Sequence, residues 1–557
     1  MVRAPMPRLL IALCLALACG SNPPAPPPPP DAGPPAPAPL VLAPPVAPPA
    51  LEAWPNGSVF YEVFVRSFQD SNGDGKGDLQ GLISRLDYLN DGDPSTTTDL
   101  GVDAIWLMPI FSSPSYHGYD VTDYEQINPD YGTSADFDAL IAAAHKRGIK
   151  VILDLVLNHT GSGHPWFVDS ASSPSSAHRD WYVWSATDLG WDPPFGGGDT
   201  WHPQNGAWFY GLFGGGMPDL NYNTPAVHDA VKGIAGYWLG RGADGFRLDA
   251  ARYLYENGEG GGQQDQPQTH AFWKEFSAYV RSVSPSATLV GEAWADPATI
   301  AAYYGDTTAL AGGDELPLAF DFPLAGAIVD SARSGSATEL INTIQAVQGA
   351  YPAGATDVPF LTNHDMVRAA SAMGNDAGAM ASAVAVLLTL PGTPFLYYGE
   401  EVGLREGNQN GDLGKRTPMP WSDDGIGGGF TTASPWTPFA PGRTTANVKA
   451  QQGDPASLWS RYRALIDARH RSGALARGGF QLLTAPDGVV AFLRATTVET
   501  VLVAHNLGSA QVTAGPFAAP GTKAVSLFSD AGATLSSGAS GWTATLGPRA
   551  SGAWRLQ

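Results

Sequence analysis

Four short clusters in the sequence set a carboxylate beside His, Asn, Arg or Trp. They are Asp154-Leu155-Val156-Leu157-Asn158-His159, Gly245-Phe246-Arg247-Leu248-Asp249-Ala250, Gly291-Glu292-Ala293-Trp294 and Phe360-Leu361-Thr362-Asn363-His364-Asp365. Each closes a short apolar run. Paired carboxyl groups can divide nucleophilic and acid–base work when their surroundings push their proton affinities apart. Arg247 lies two residues before Asp249, on the same face of a strand, and stabilises its carboxylate in the ionised form, suited to attack. Glu292 has Trp294 at the same spacing. A crowded apolar setting raises a carboxyl pKa, so Glu292 is suited to keep a proton and donate it. One acid at a strand end ordinarily caps a helix or pairs with a base. Four such clusters at four strand ends call for a shared site. His159 and His364 could instead ligate a metal, but no third His or Cys is spaced to join them.

The elements that must position these clusters are strands of a parallel sheet. Apolar runs occur at Val59–Val65, Ala104–Met108, Lys150–Val156, Gly245–Asp249, Thr288–Glu292, Ala319–Phe322, Pro359–Thr362 and Pro394–Tyr398. Amphipathic stretches alternate with them at Ala135–Arg147, Ala226–Gly240, Phe272–Ser282, Ala327–Val347, Ala377–Leu388 and Leu458–His470. Eight strands alternating with helices predict an α/β fold, a (β/α)8 TIM barrel, whose active site lies at the C-terminal ends of the strands. After the third strand comes a Gly-, Pro- and aromatic-rich stretch too long for a barrel loop, which predicts an inserted subdomain. Beyond His470, short alternating strands such as Gly488–Leu493 and Thr500–Asn506 predict a C-terminal antiparallel β-sandwich. The expected boundaries are 54–158 and 224–472 for the barrel, 159–223 for the insert and 473–557 for the sandwich.

In these motifs the chain resembles the α-amylase family of retaining glycoside hydrolases, over residues 54–557. All four clusters occur in family order, with Met217-Pro218-Asp219-Leu220-Asn221 near the end of the insert as a fifth. The resemblance implies that Asp249 is the nucleophile, Glu292 the general acid/base and Asp365 the stabiliser of the transition state. It also implies that Arg247, His159 and His364 hold the sugar at the cleavage point while Tyr119 stacks on it. Retention requires two carboxyls roughly 5 to 5.5 Å apart, one ionised and one protonated, which suits the pair read above. Asp365 is left to bind sugar hydroxyls more tightly as the ring flattens. Of the insert's Trp166, Trp181, Tyr182, Trp184, Trp201, Trp208 and Tyr210, most should be core and at most two should stack on sugar.

Asp70-Ser71-Asn72-Gly73-Asp74-Gly75-Lys76-Gly77-Asp78 sets oxygen donors at alternate positions with Gly at the turn, as calcium loops do. It is no EF-hand, because the twelfth position is Gly81 instead of Glu. The family has a similar loop that binds one calcium or magnesium ion. A single structural ion held by Asp70, Asn72, Asp74, Lys76 and Asp78 is therefore expected. A second calcium site of the family is doubtful here, since Arg252-Tyr253 replaces the usual Lys-His pair and Asn158 alone makes no site.

At 557 residues, 43% of them hydrophobic, the chain can bury a large core. A net charge of −22 argues against nucleic acid or anionic membrane as partner and favours a neutral polysaccharide or oligosaccharide. The only cysteines, Cys14 and Cys19, precede the folded part, so no disulfide staples it. Residues 1–19 read as a signal peptide: Arg3 and Arg8, then an apolar run too short to span a bilayer. Leu15-Ala16-Leu17-Ala18-Cys19 resembles a bacterial lipoprotein signal, although Ala16-Leu17-Ala18 also fits ordinary cleavage. Residues 20–53 form a Pro-rich linker, a stiff spacer. The expected protein is exported and monomeric, lipid-anchored to the cell envelope or outer membrane through Cys19, or else secreted.

Ala250 resembles α-1,4-acting members, whereas 217–221, Gly399-Glu400-Glu401 and Arg416-Thr417-Pro418-Met419 look like the oligo-1,6-glucosidase and α-glucosidase branch. The expectation is α-1,4 cleavage of starch-like glucans, most readily by endo action. The alternatives are an exo-acting α-glucosidase or a transglycosylase, and a non-catalytic surface glucan-binding protein.

Overall fold

The computed structural model describes residues 54–557, so the expected leader, the Pro-rich linker and Cys19 lie outside the described residues. Eight parallel strands make one sheet: β1 (Phe60–Val63), β2 (Ala104–Leu107), β3 (Lys150–Leu155), β4 (Gly245–Leu248), β5 (Thr288–Gly291), β6 (Leu318–Phe320), β7 (Thr356–Val358) and β8 (Phe395–Tyr397). Each of β1 to β6 pairs with the next, and β8 pairs with β1. A bridge from Phe360, just past β7, to Phe395 closes the (β/α)8 barrel.

Strand alternation sorts the side chains. Phe60, Ala104, Trp106, Ile152, Val290, Leu318, Phe320 and Phe395 fill the barrel interior as one buried cluster. Phe60 and Phe395 stack there with centroids 4.3 Å apart. Their neighbours Tyr61, Ile105, Val151, Leu153 and Leu289 belong to the larger core under the helices. Both strand faces are thus dry, which is why the strands read as nearly unbroken apolar runs.

The helices Ser134–Lys146, Pro225–Gly240, Pro267–Val283, Ala377–Thr389 and Leu458–His470 stand where the amphipathic periods predict them. Thr133 and Asp136 form a capping box for the first, and Pro opens the second and third. Two expectations are corrected. The stretch expected as one helix over Ala327–Val347 is two helices, Phe322–Ser334 and Thr338–Ala350, because Gly335 at φ 82° ends the first in the left-handed conformation. The seventh strand ends before Pro359, which has no N–H to give a ladder, so the Phe360–Asp365 cluster lies beyond the strand.

The insert carries a small antiparallel sheet of Trp184–Ser185, Ala207–Tyr210 and Trp201–Gln204. Its last residues pair back onto its earlier ones through bridges from Asp219 to His159 and from Leu220 to Tyr182. The C-terminal part packs a five-stranded antiparallel sheet on a three-stranded one, around Leu493, Leu502, Trp542, Leu546 and Trp554. Among the described residues, no helix is long and apolar enough to cross a membrane.

Candidate active site

The alternation that points Phe60, Ile152 and Val290 into the barrel also points Glu62 and Asp154 inward, two residues further along β1 and β3, and Glu292, the residue just past β5. Asp154 is opposite Arg247 in the β3–β4 register. Arg247 is buried at the centre of the mouth. Its Nη1 donates to Asp154 Oδ1 at 2.9 Å and to Asp249 Oδ1 at 2.6 Å, and its Nη2 lies 2.9 Å from Glu292 Oε1. Burial works against its charge, but Asp154 and Glu292 outweigh it and hold the guanidinium protonated. One guanidinium thus gathers the Asp249 and Glu292 carboxyls at the same point of the mouth, as a mechanism that uses two neighbouring carboxyls requires.

Glu292 is held from its other oxygen by the backbone N–H of Ala250, 2.9 Å away, where Ala250 adopts φ 50°. Burial raises the Glu292 pKa against the pull of Arg247, and the negative charges of Asp249 and Asp365 raise it further. The expected donor therefore has a reason to stay protonated, but the expected cause is corrected. The Trp294 ring stacks on Phe322 at 4.4 Å and is half exposed, so the crowding of Glu292 comes from the barrel mouth itself.

Tyr119 and His364 bring a second carboxylate group into the site. The Tyr119 hydroxyl is 2.6 Å from His364 Nε2 and 3.1 Å from Asp154 Oδ2. His364 Nδ1 is 2.6 Å from Glu62 Oε1, and its Nε2 is 3.0 Å from Asp365 Oδ2. Burial lowers the His364 pKa, but Asp365 and Glu62 more than reverse this and raise it to about 10. Burial likewise pushes Asp365 up, and His364 and Arg416 overcome it, holding the carboxyl below the usual range. Arg416 Nη2 donates to Asp365 Oδ1 at 2.8 Å. His159 offers Nδ1 to Asn158 Oδ1 at 3.0 Å, while its buried Nε2 has no hydrogen-bond partner and is open to a ligand hydroxyl. Burial lowers its pKa and keeps it neutral.

Asp249, Glu292, Asp365, Tyr119 and His159 all border one pocket of about 730 Å³, with Arg247 and His364 buried directly beneath them. The structure adds residues that the sequence reading did not single out for the site. Glu62 was visible as a lone acid in an apolar strand; Asp412 and Arg416 come from a loop with no periodic signal. The insert contributes to the pocket Phe195 and Phe213, and none of the seven aromatics of which at most two were expected there. Trp201, Tyr182 and Tyr210 are core.

The 70–78 loop lies apart from this pocket and is closed by its own hydrogen bonds. Asp70 accepts from the N–H groups of Asn72, Gly73 and Gly75 and from Thr431 Oγ1. Asn72 and Asp74 each accept from the N–H two residues on. Asp78 accepts from Ser71 and caps the next helix at Gly81. The Lys76 ammonium pairs with Asp130, leaving only its backbone for an ion. The donor types suit calcium or magnesium, yet among the described residues no three His, Cys, Asp or Glu side chains are grouped to hold a metal.

Residues 62–478 match the family described as "Alpha amylase, catalytic domain". The chain is 40% identical over 461 residues to Alpha-amylase 3 of Dictyoglomus thermophilum, covering 82% of this chain and 86% of that protein. It is 38% identical over 510 residues to Trehalose synthase/amylase TreS of Mycobacterium tuberculosis, covering 82% and 83%. Among solved structures, the α-amylase from H. orenii superposes with a TM-score of 0.79 at 38% identity, covering 90% of this chain and 99% of that one.

Proposed function

The chain belongs to the α-amylase family of glycoside hydrolases, and we propose that it hydrolyses α-1,4-glucosidic bonds of starch-like glucans or malto-oligosaccharides with retention. The observation that carries this reading is the single guanidinium of Arg247 bound to both Asp249 and Glu292. Glu292 gives its proton to the glycosidic oxygen as Asp249 attacks the anomeric carbon, forming a glycosyl ester and releasing the leaving sugar. Water then attacks that carbon, Glu292 takes its proton, and Asp249 departs. Asp365, fixed by Arg416 and His364, accepts sugar hydroxyls that bind more tightly as the ring flattens. Tyr119 and His159 border the same sugar, and Arg247 and His364 hold the carboxylates beneath it.

The first reading is endo action, supported by identity to an α-amylase and by Ala250 after the nucleophile. Exo-acting glucosidase or transglycosylase action is favoured by one feature: Asp412 and Arg416 wall the pocket beside Asp365. Amylose viscosity decides between them. Endo action drops viscosity before reducing sugar accumulates; reducing sugar appearing first overturns it.

A structural calcium or magnesium ion in the 70–78 loop remains part of the proposal on the strength of its oxygen donors. So do monomeric state, export and lipid anchoring through Cys19, which rest on the sequence. Detergent partitioning of the full chain against Cys19→Ser tests the anchor, and a soluble unmutated protein with a free thiol at Cys19 overturns it.

A further inference from the structure

Phe195 is a large apolar ring left 56% exposed at the border of the reaction pocket. Most exposed apolar side chains need no explanation, but this one is built into place. Its ring lies nearly parallel to Phe213, with centroids 5.8 Å apart and planes at 19°, and edge-on to Tyr253 at 6.0 Å. Phe213 meets Tyr253 edge-on at 5.9 Å and reaches within 5.4 Å of the His159 ring. The three rings form one wall.

The loop that carries Phe195 is fixed at its base, and across its tip the Gly196 N–H donates to Pro193 O at 2.8 Å. Gln263 Nε2 donates to Asp192 O at 2.8 Å, and Thr200 Oγ1 to Trp191 O at 2.9 Å. Pro193 and Pro194 stiffen the approach. Gly196, Gly197 and Gly198 follow at positive φ, with open space where a Cβ would stand.

The place of the wall assigns its ligand. Tyr119, Asp365, Asp412 and Arg416, from the loops after β2, β7 and β8, border the part of the pocket where the sugar under attack would lie. Glu292 must reach the oxygen on the other side of that sugar's anomeric carbon. Phe213 is the inner end of the wall, against His159 at that same sugar, whereas Phe195 stands at the outer end beside Tyr253, four residues past Asp249 on the β4 loop, next to the β5 loop that carries Glu292. Pyranose rings present an apolar face that packs on aromatic rings.

We propose that Phe195 is the specificity-determining residue for the glucose unit on the leaving side of the scissile bond, and for the sugar acceptor when the glycosyl group is transferred instead of hydrolysed. The inference rests on the glycosidase reading above. In transfer, an acceptor hydroxyl oxygen forms the new bond to the anomeric carbon, the ester bond to Asp249 breaks, and the hydroxyl proton passes to the Glu292 carboxylate. A sugar seated on Phe195 competes with water for that step.

The test compares the full-length enzyme with Phe195→Ala and Phe195→Trp on two donors. Maltotetraose has a sugar on the leaving side; α-glucosyl fluoride has only fluoride there. The expected result is a fall of about tenfold in the ratio of kcat/KM for maltotetraose to kcat/KM for the fluoride in Phe195→Ala. With maltose added, its ratio of transfer product to glucose should fall as well, and Phe195→Trp should retain both ratios within about twofold. Unchanged ratios in Phe195→Ala overturn the proposal, whether both activities persist or both drop together. Failure of the unmutated enzyme to turn over either donor overturns the glycosidase reading, and this inference with it.

Discussion

Asp154 and Arg247 face each other in register on adjacent strands, and the same Nη1 that donates to Asp154 at 2.9 Å holds Asp249 at 2.6 Å. Asp154 is therefore a positioning residue for a nucleophile it does not touch. Burial and the charge of Asp249 push its carboxyl up to about 7, against the pull of Arg247. Asp154→Asn should lower kcat by about 10²-fold, as small misplacements of reacting groups do, with KM changed much less. Full activity in that variant would contradict the role.

Glu62 is expected to act through His364. With its Nδ1 on Glu62 and its Nε2 on Asp365, His364 stays charged up to about pH 10. Glu62→Gln removes one of the two charges that raise it. The titration of the His364 ring, followed by NMR, should then move toward neutrality and kcat should fall as Asp365 loses its charged partner. An unshifted titration would show that Glu62 has no electrostatic hold on His364.

Folding stability should fall as pH rises through the neutral range. Glu400 is fully buried, with Oε1 accepting from the Tyr462 hydroxyl at 2.5 Å and Oε2 without a partner, and burial raises its pKa to about 8. Asp321 is raised to about 6, also by burial. Such acids bind protons in the folded state that the unfolded chain has already lost. Their contribution is largest below the unfolded pKa near 4 and is lost as pH climbs to the folded value. His364, raised in turn, contributes fully below its unfolded value of about 6.5 and loses this toward pH 10, the same direction. Thermal melting at pH 5.5 and 8.5 should give the higher Tm at 5.5, with a smaller difference in Glu400→Gln. A Tm that rises with pH would contradict the assignment.

The 70–78 loop gives a separate test. An ion bound only by the folded chain stabilises it by mass action, so a chelator should lower the Tm of the unmutated protein and leave Asp74→Ala unaffected. Equal loss in both would place any ion elsewhere, and no loss in either would leave the loop to its hydrogen bonds.

How much of this was legible in the sequence follows from what each part depends on. The barrel and four site clusters depend on local pattern: apolar runs buried on both faces, four of them closing on a carboxylate, and amphipathic helices between them. The missed parts depend on chain meeting chain. Arg416 matters because its loop folds over Asp365, and Phe195 because Pro and Gly residues present it across the pocket; neither leaves a period to read. The break at Gly335 was hidden because both halves of that stretch are amphipathic. Glu62 could have been found, since an acid that shares inward parity with Phe60 has only the barrel mouth to face.

The identity of the nucleophile is the most direct test of the whole account. Incubation with 5-fluoro-α-glucosyl fluoride should slow the second step and let the glycosyl ester accumulate, and peptide mass spectrometry should find the added mass on Asp249. The product first formed from maltotetraose should be the α-anomer. A label on Glu292 or Asp365, or a β-anomer released first, would contradict the arrangement in which Arg247 sets Asp249 to attack and Glu292 to donate.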